Sequence, residues 1–182
     1  MVKKIFLIIF LFLFFKPFFV SAKEAAESAK ISYKTILQED SRTLFYKKAA
    51  IKNILEKYHS PLVDSADTFI KVCLDYKFNC YLLPAIAGTE STFGRYLITS
   101  SFNPFGWGGG RIFFKNWKEA IEKVAFGLKE NYINCGLTTI ESIGKVYSKN
   151  PNWSKNVLFF IKKFQEEEEN LRLYFEKNTV KL

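Results

Sequence analysis

Residues 79–94 read Asn-Cys-Tyr-Leu-Leu-Pro-Ala-Ile-Ala-Gly-Thr-Glu-Ser-Thr-Phe-Gly. Asn79 suits the opening of a helix, Leu83, Ile86 and Ala87 recur at helical spacing, and Gly94 suits its end. A helix this apolar belongs in a core. Glu90 lies on it, one turn after Ile86 and three residues before Phe93. Apolar neighbours desolvate a carboxylate, and a helix C-terminus presents partial negative charge, so both influences raise its pKa. A carboxyl group kept protonated near neutral pH can protonate a leaving oxygen, which makes Glu90 the candidate general acid. Gly88, which costs about 1 kcal/mol against Ala in mid-helix, is expected where a ligand or another backbone comes close.

Outward from this helix the pattern stays helical on both sides. Leu44, Ile51, Ile54, Leu55 and Tyr58 predict one amphipathic helix to about His59. Ser60-Pro61 reads as an N-cap with proline at the first helical position, and Ala66, Phe69, Ile70, Cys73 and Leu74 then share a face. Between Tyr96 and Lys115 the periodicity stops at Asn103-Pro104-Phe105-Gly106-Trp107-Gly108-Gly109-Gly110, a loop or short β-ribbon. Asn116 to Glu119 has the form of a capping box and opens a helix bearing Trp117, Ala120, Ile121, Val124, Leu128 and Tyr132. Thr138 to Glu141 repeats the device before Ile143 and Tyr147. Trp153, Val157, Phe160, Ile161 and Phe164 begin a long final helix, with Glu166–Glu169 expected as a solvated face. The expected class is therefore mainly α, a helical domain over 40–182 with one short Gly- and aromatic-rich lobe.

The N-terminus addresses compartment. Lys3 and Lys4 precede an apolar run from Ile5 to Phe15, which Lys16 and Pro17 interrupt before Val20-Ser21-Ala22. A basic start, a short apolar core and a small-residue site describe a secretory signal over 1–22. An uninterrupted span needs roughly 20 apolar residues, which ranks an uncleaved anchor second. Residues 23–39 read as a polar linker or frayed helix. The protein is expected to be secreted or held in the cell envelope, touching membrane only through the signal segment.

Composition narrows the chemistry. The chain carries a formal charge of +9, to which Lys3, Lys4 and Lys16 contribute, so anionic envelope polymers suit it. Its lysines are scattered and no nucleic-acid motif is visible, which argues against nucleic acid. Cys73, Cys80 and Cys135 leave either one bridge plus one buried thiol or three reduced core thiols. His59 is the only histidine. It reads as a dipole partner at a helix end, so ordinary zinc sites and Ser-His-Asp or Cys-His machinery are disfavoured, and no metal or cofactor is expected. Chemistry must then come from carboxylates, tyrosine and hydroxyls. Phe105, Trp107 and Phe114, with adjacent glycines, suit a wall for sugar rings.

Four segments add a family resemblance. Gly88 to Gly94, G-T-E-S-T-F-G, resembles the E-S-x-x-G segment that carries the catalytic Glu in lysozyme-like lytic transglycosylases and bacterial endo-β-N-acetylglucosaminidases. N-P-F-G-W (Asn103 to Trp107) is similar to the N-x-F-G element of the glucosaminidase group, the autolysin and flagellar-muramidase type. F-K-N-W-K-E-A-I (Phe114 to Ile121) resembles the start of that family's next helix, and V-Y-S-K-N-P-N-W (Val146 to Trp153) its Y-A-x-D-P-x-Y segment. The segments come in family order over about residues 80–165.

The resemblance implies a lysozyme-like fold and cleavage of β-1,4-linked N-acetylated amino-sugar polymers, most naturally peptidoglycan. It implies Glu90 as general acid, Tyr147 beside the cleaved sugar, and Ser91, Phe93, Asn103, Phe105, Trp107 and Phe114 as substrate contacts. Two departures stand out: Asn150 replaces the Asp of the last segment, and Ser91 to Lys118 contains no Asp or Glu. A two-carboxylate mechanism is thus disfavoured, leaving substrate-assisted hydrolysis or lytic transglycosylation. A catalytically degenerate glycan-binding module of the cell envelope is the alternative.

Overall fold

The computed structural model describes residues 41–178. The expected signal segment and the polar stretch that follows lie outside the described residues. From Arg42 onward the chain clusters into one compact unit. It contains α1 (residues 41–57), α2 (Ala66–Tyr76), α3 (Leu82–Ser91), α4 (Trp117–Leu128), α5 (Ile140–Tyr147) and α6 (Trp153–Asn178). Among the described residues there is no strand, so the lobe between α3 and α4 is a loop, not a β-ribbon. No helix among the described residues is long and apolar enough to cross a membrane.

Helix α3 is the axis of the core, because every residue from Leu82 to Gly88 is buried. It packs along α6, while α2 packs on α4 and α5 on the start of α6. Helix α6 faces inward through Trp153, Val157, Ile161, Phe164 and Glu168, a spacing of four, four, three and four that keeps one stripe on one face. Tyr81, at the N-cap of α3, stacks on Phe164 with centroids 5.4 Å apart. Helix α2 buries Ala66, Phe69, Val72 and Cys73, leaving Leu74 exposed, so Val72 takes the core place expected of Leu74.

Several local signals act slightly away from their expected positions. Ser60 caps no helix: α2 begins only at Ala66, after a short 3-10 turn, Val63–Ser65. Its hydroxyl instead accepts from the Leu62 N–H at 3.0 Å and donates to the Phe93 carbonyl at 2.7 Å, tying the α1–α2 corner to the end of α3. Asn116 caps α4 by accepting from Glu119 N–H at 2.9 Å, while the Glu119 carboxylate reaches back to Lys115 N–H at 2.6 Å. The capping box of α5 is Thr139 with Ser142, one residue later than expected. Cys73 pairs with Cys80, and the remaining thiol, Cys135, is exposed where a buried one was expected.

Glu168 overturns the solvated reading of the acidic run. It is buried and accepts from the Tyr81 hydroxyl (2.6 Å), Lys47 (3.0 Å) and Arg172 (3.2 Å), while Glu167 accepts from Asn53 (2.8 Å). Burial alone would raise the Glu168 carboxyl, but these donors and the two cations outweigh it and hold it below the usual carboxylate range. Glu168 thus clamps α1, the head of α3 and α6 at one end of the core.

Candidate active site

Helix α3 ends in two consecutive left-handed residues, Thr92 and Phe93, which turn the chain back on itself. The turn drives the Phe93 ring into the core, among Tyr58, Phe160 and Phe164. Gly88 makes this possible, since a Cβ there would lie 2.8 Å from the Phe93 ring. The close approach expected at Gly88 is therefore an internal side chain, with no ligand or backbone needed to explain it.

Glu90 emerges half-buried from the same helix end. Its Oε1 accepts from the Trp153 indole N–H at 2.7 Å. Its Oε2 lies over Gly106, where a Cβ would come within 2.6 Å. Gly106 also has φ +62°, so both space and backbone conformation call for glycine. Burial raises the Glu90 carboxyl above the usual carboxylate range, and the Trp153 bond only partly opposes this. The direction expected from the sequence holds. The helix-end dipole that was also expected to raise it is not needed to account for the direction.

The loop after α3 is shaped by one side chain. Asn103 donates through Nδ2 to the carbonyls of Trp107 (2.9 Å) and Ile112 (3.0 Å), and its Oδ1 accepts from Trp107 N–H (3.0 Å). Ser91 anchors the base, donating to the Pro104 carbonyl at 2.7 Å and accepting from Gly94 N–H at 2.8 Å. The Trp107 indole is seated on α4 at Gly127, where a Cβ would lie 2.5 Å from the ring.

Trp107, Tyr132 and Tyr147, with Gly106, Gly108 and Gly109, line an open cleft of about 370 Å³. Tyr132 comes from a π-helical turn, Lys129–Ile133, that continues α4. The three rings lie within 6.1 Å of one another, and Tyr147 stacks on Trp153 at 4.8 Å. The Tyr147 hydroxyl donates to the Phe105 carbonyl at 2.6 Å. Burial first, and then the nearby Glu90 and Tyr132, push its phenol well up. Tyr147 therefore stays a neutral donor at neutral pH and serves as wall and brace rather than as a base.

The sequence-derived site residues separate into two groups. Trp107 and Tyr147 line the cleft, and Glu90 lies against its lining residue Gly106. Ser91, Phe93, Asn103, Phe105 and Phe114, expected as substrate contacts, are all buried and support the cleft from behind. Their side chains are spent on packing or on loop hydrogen bonds, which corrects that expectation. Tyr132 and Trp153 are the residues the sequence reading missed as site members. Helical periodicity places Tyr132 on the apolar face that continues α4 and Trp153 at the head of the inward stripe of α6, and neither signal points to a cleft.

Among the described residues no carboxylate influences Glu90. Glu119 is held by Lys115 and Lys123, which lower its carboxyl, and Glu122 lies near Lys71. Among the described residues no group of three His, Cys, Asp or Glu side chains is arranged to hold a metal. No protein-family model matches the chain, and no curated protein matches it.

Proposed function

We propose that this protein is an exported glycoside-cleaving enzyme of lysozyme-like architecture, acting on β-1,4-linked N-acetylated amino-sugar polymers such as peptidoglycan. The observation that carries the reading is Glu90: one carboxyl with a raised pKa, fixed by a neutral donor, at the edge of a cleft walled by three aromatic rings. A raised pKa favours the protonated form, from which a carboxyl can give its proton to the glycosidic oxygen. Aromatic faces and bare glycine backbone suit pyranose rings. The Cys73–Cys80 bridge suits an oxidising compartment, in agreement with the signal-like N-terminus.

With no second carboxylate beside Glu90 among the described residues, two routes are favoured. In one, the substrate's acetamido oxygen attacks the anomeric carbon as Glu90 protonates the leaving oxygen, and water later opens the cyclic intermediate. In the other, Glu90 returns as base and the sugar closes on itself to an anhydro product. The lack of a second acid beside Glu90 among the described residues also favours a second reading, a glycan-binding module that retains the cleft without turnover.

The test is cleavage of purified sacculi, read as released muropeptides. The wild type is expected to release fragments and Glu90→Gln to lose about 10²–10⁴-fold in rate. Reducing ends identify the hydrolase and anhydro ends the transglycosylase. Equal rates for the two proteins would sink the enzyme reading, and sacculus binding without release identifies the binding module.

A further inference from the structure

Glu90 is held from one side. The Trp153 indole takes Oε1, and no other hydrogen bond reaches the carboxyl among the described residues. The indole itself has little freedom. It is buried, it lies nearly parallel to the Tyr147 ring (27°), and a Cβ on Gly144 would lie 2.9 Å from it. Tyr147 is fixed in turn through its hydroxyl to the Phe105 carbonyl. A chain of rigid contacts thus runs from the Gly-rich loop through two stacked rings to one carboxylate oxygen.

An indole N–H only donates, so the oxygen it binds must accept in either protonation state. In a protonated carboxyl the carbonyl oxygen is the better acceptor, so the indole bond favours Oε1 as the carbonyl-like oxygen and the proton on Oε2. That oxygen lies over Gly106, a residue of the cleft lining. We propose that Trp153 is the positioning residue of Glu90, claiming Oε1 as acceptor and so leaving the proton-bearing Oε2 toward Gly106 of the cleft lining. The proposal rests on Glu90 as general acid for its catalytic consequence, while the geometry can be tested without turnover.

The titratable groups that share this space are Tyr147 from α5 and Tyr132 from the turn after α4. Burial pushes both phenols up, so they remain neutral while Glu90 titrates. Among the described residues no charged side chain shifts Glu90. A titration sensed at the Trp153 N–H therefore reports Glu90.

The experiment follows the three tryptophan indole N–H signals of the ¹⁵N-labelled protein against pH. Trp107→Phe and Trp117→Phe assign the Trp153 signal. It is expected to move in a single step with a midpoint above the ordinary glutamate value, and to stay flat in Glu90→Gln. A flat signal in the wild type, or the same movement in Glu90→Gln, overturns the proposal. In sacculus cleavage, Trp153→Phe is expected to lower kcat about 10- to 100-fold with KM held within about twofold. The alkaline limb of its pH profile moves up, because a donor that favoured the carboxylate is gone. A kcat and alkaline limb equal to wild type would also overturn it. A wild type that cleaves nothing removes the general-acid reading, and the indole signal still decides the positioning.

Discussion

Two glutamates withdrawn from water sit at opposite ends of the α3–α6 packing, and they behave in opposite ways. Glu168 meets two cations and a phenol, and its carboxyl is held below the usual range. Glu90 meets one neutral indole, and its carboxyl is raised. Desolvation pushes both upward, so depth alone does not distinguish them. The charge of the donors does. A buried carboxylate becomes a fixed ion where cations receive it and a proton carrier where only neutral donors do.

The largest effect that would break this contrast is catalytic. Glu90→Gln is expected to cost orders of magnitude in cleavage and nothing in folding, whereas Glu168→Gln should leave cleavage by the remaining folded protein near wild type. Denaturant unfolding should then show the reverse ranking. Glu168→Leu removes the acceptor of Lys47 and the Tyr81 hydroxyl and leaves Arg172 only Glu169 at 3.7 Å. With both cations partly exposed the expected loss is about 1–3 kcal/mol, and no measurable loss would show that the clamp contributes little.

The pH dependence separates the pair more finely. Glu168 has a depressed folded pKa, so its stabilisation is present above the unfolded carboxyl value and is lost as pH falls through the folded one. Glu90 has a raised folded pKa. Its contribution is fully present below the unfolded value and is lost as pH rises through the folded one. Unfolding measured from about pH 3 to pH 8 should therefore show a flatter acid limb in Glu168→Gln. Glu90→Gln should gain stability over wild type toward the upper end of that range and little at the lower. The smallest effect belongs to Lys47→Met, about 1 kcal/mol after allowance for the partial exposure of the ammonium. It is measured as a shift of the denaturation midpoint at unchanged slope.

What the sequence revealed and what it hid follow the range of the interactions. The helices were legible because periodicity and capping act within a few residues, as at Asn116 and Glu119. Glu90 was legible because its apolar setting is written on its own helix. Trp153 as its partner was not, since 63 residues separate them and only packing brings the indole to the carboxylate. Glu168 was hidden by composition: four consecutive glutamates read as solvent-facing. Its position, however, continues the inward stripe of Trp153, Val157, Ile161 and Phe164, and that spacing was the available signal. The buried loop residues were misread for a related reason. A motif marks where a site is built, yet most of its side chains hold the loop in place, and the sequence does not separate those from the few that face the cleft.

Asn103 gives that distinction a chemical consequence. Its side-chain amide supplies two donors and one acceptor to the loop, so conversion to aspartate would remove both donors and set a negative charge against the Trp107 and Ile112 carbonyls. Asparagines age in this way when the following backbone nitrogen attacks the side chain and closes a succinimide. The residue that follows is Pro104, whose nitrogen carries no hydrogen. The ordinary route of spontaneous deamidation is thereby closed at the amide on which the shape of the loop depends.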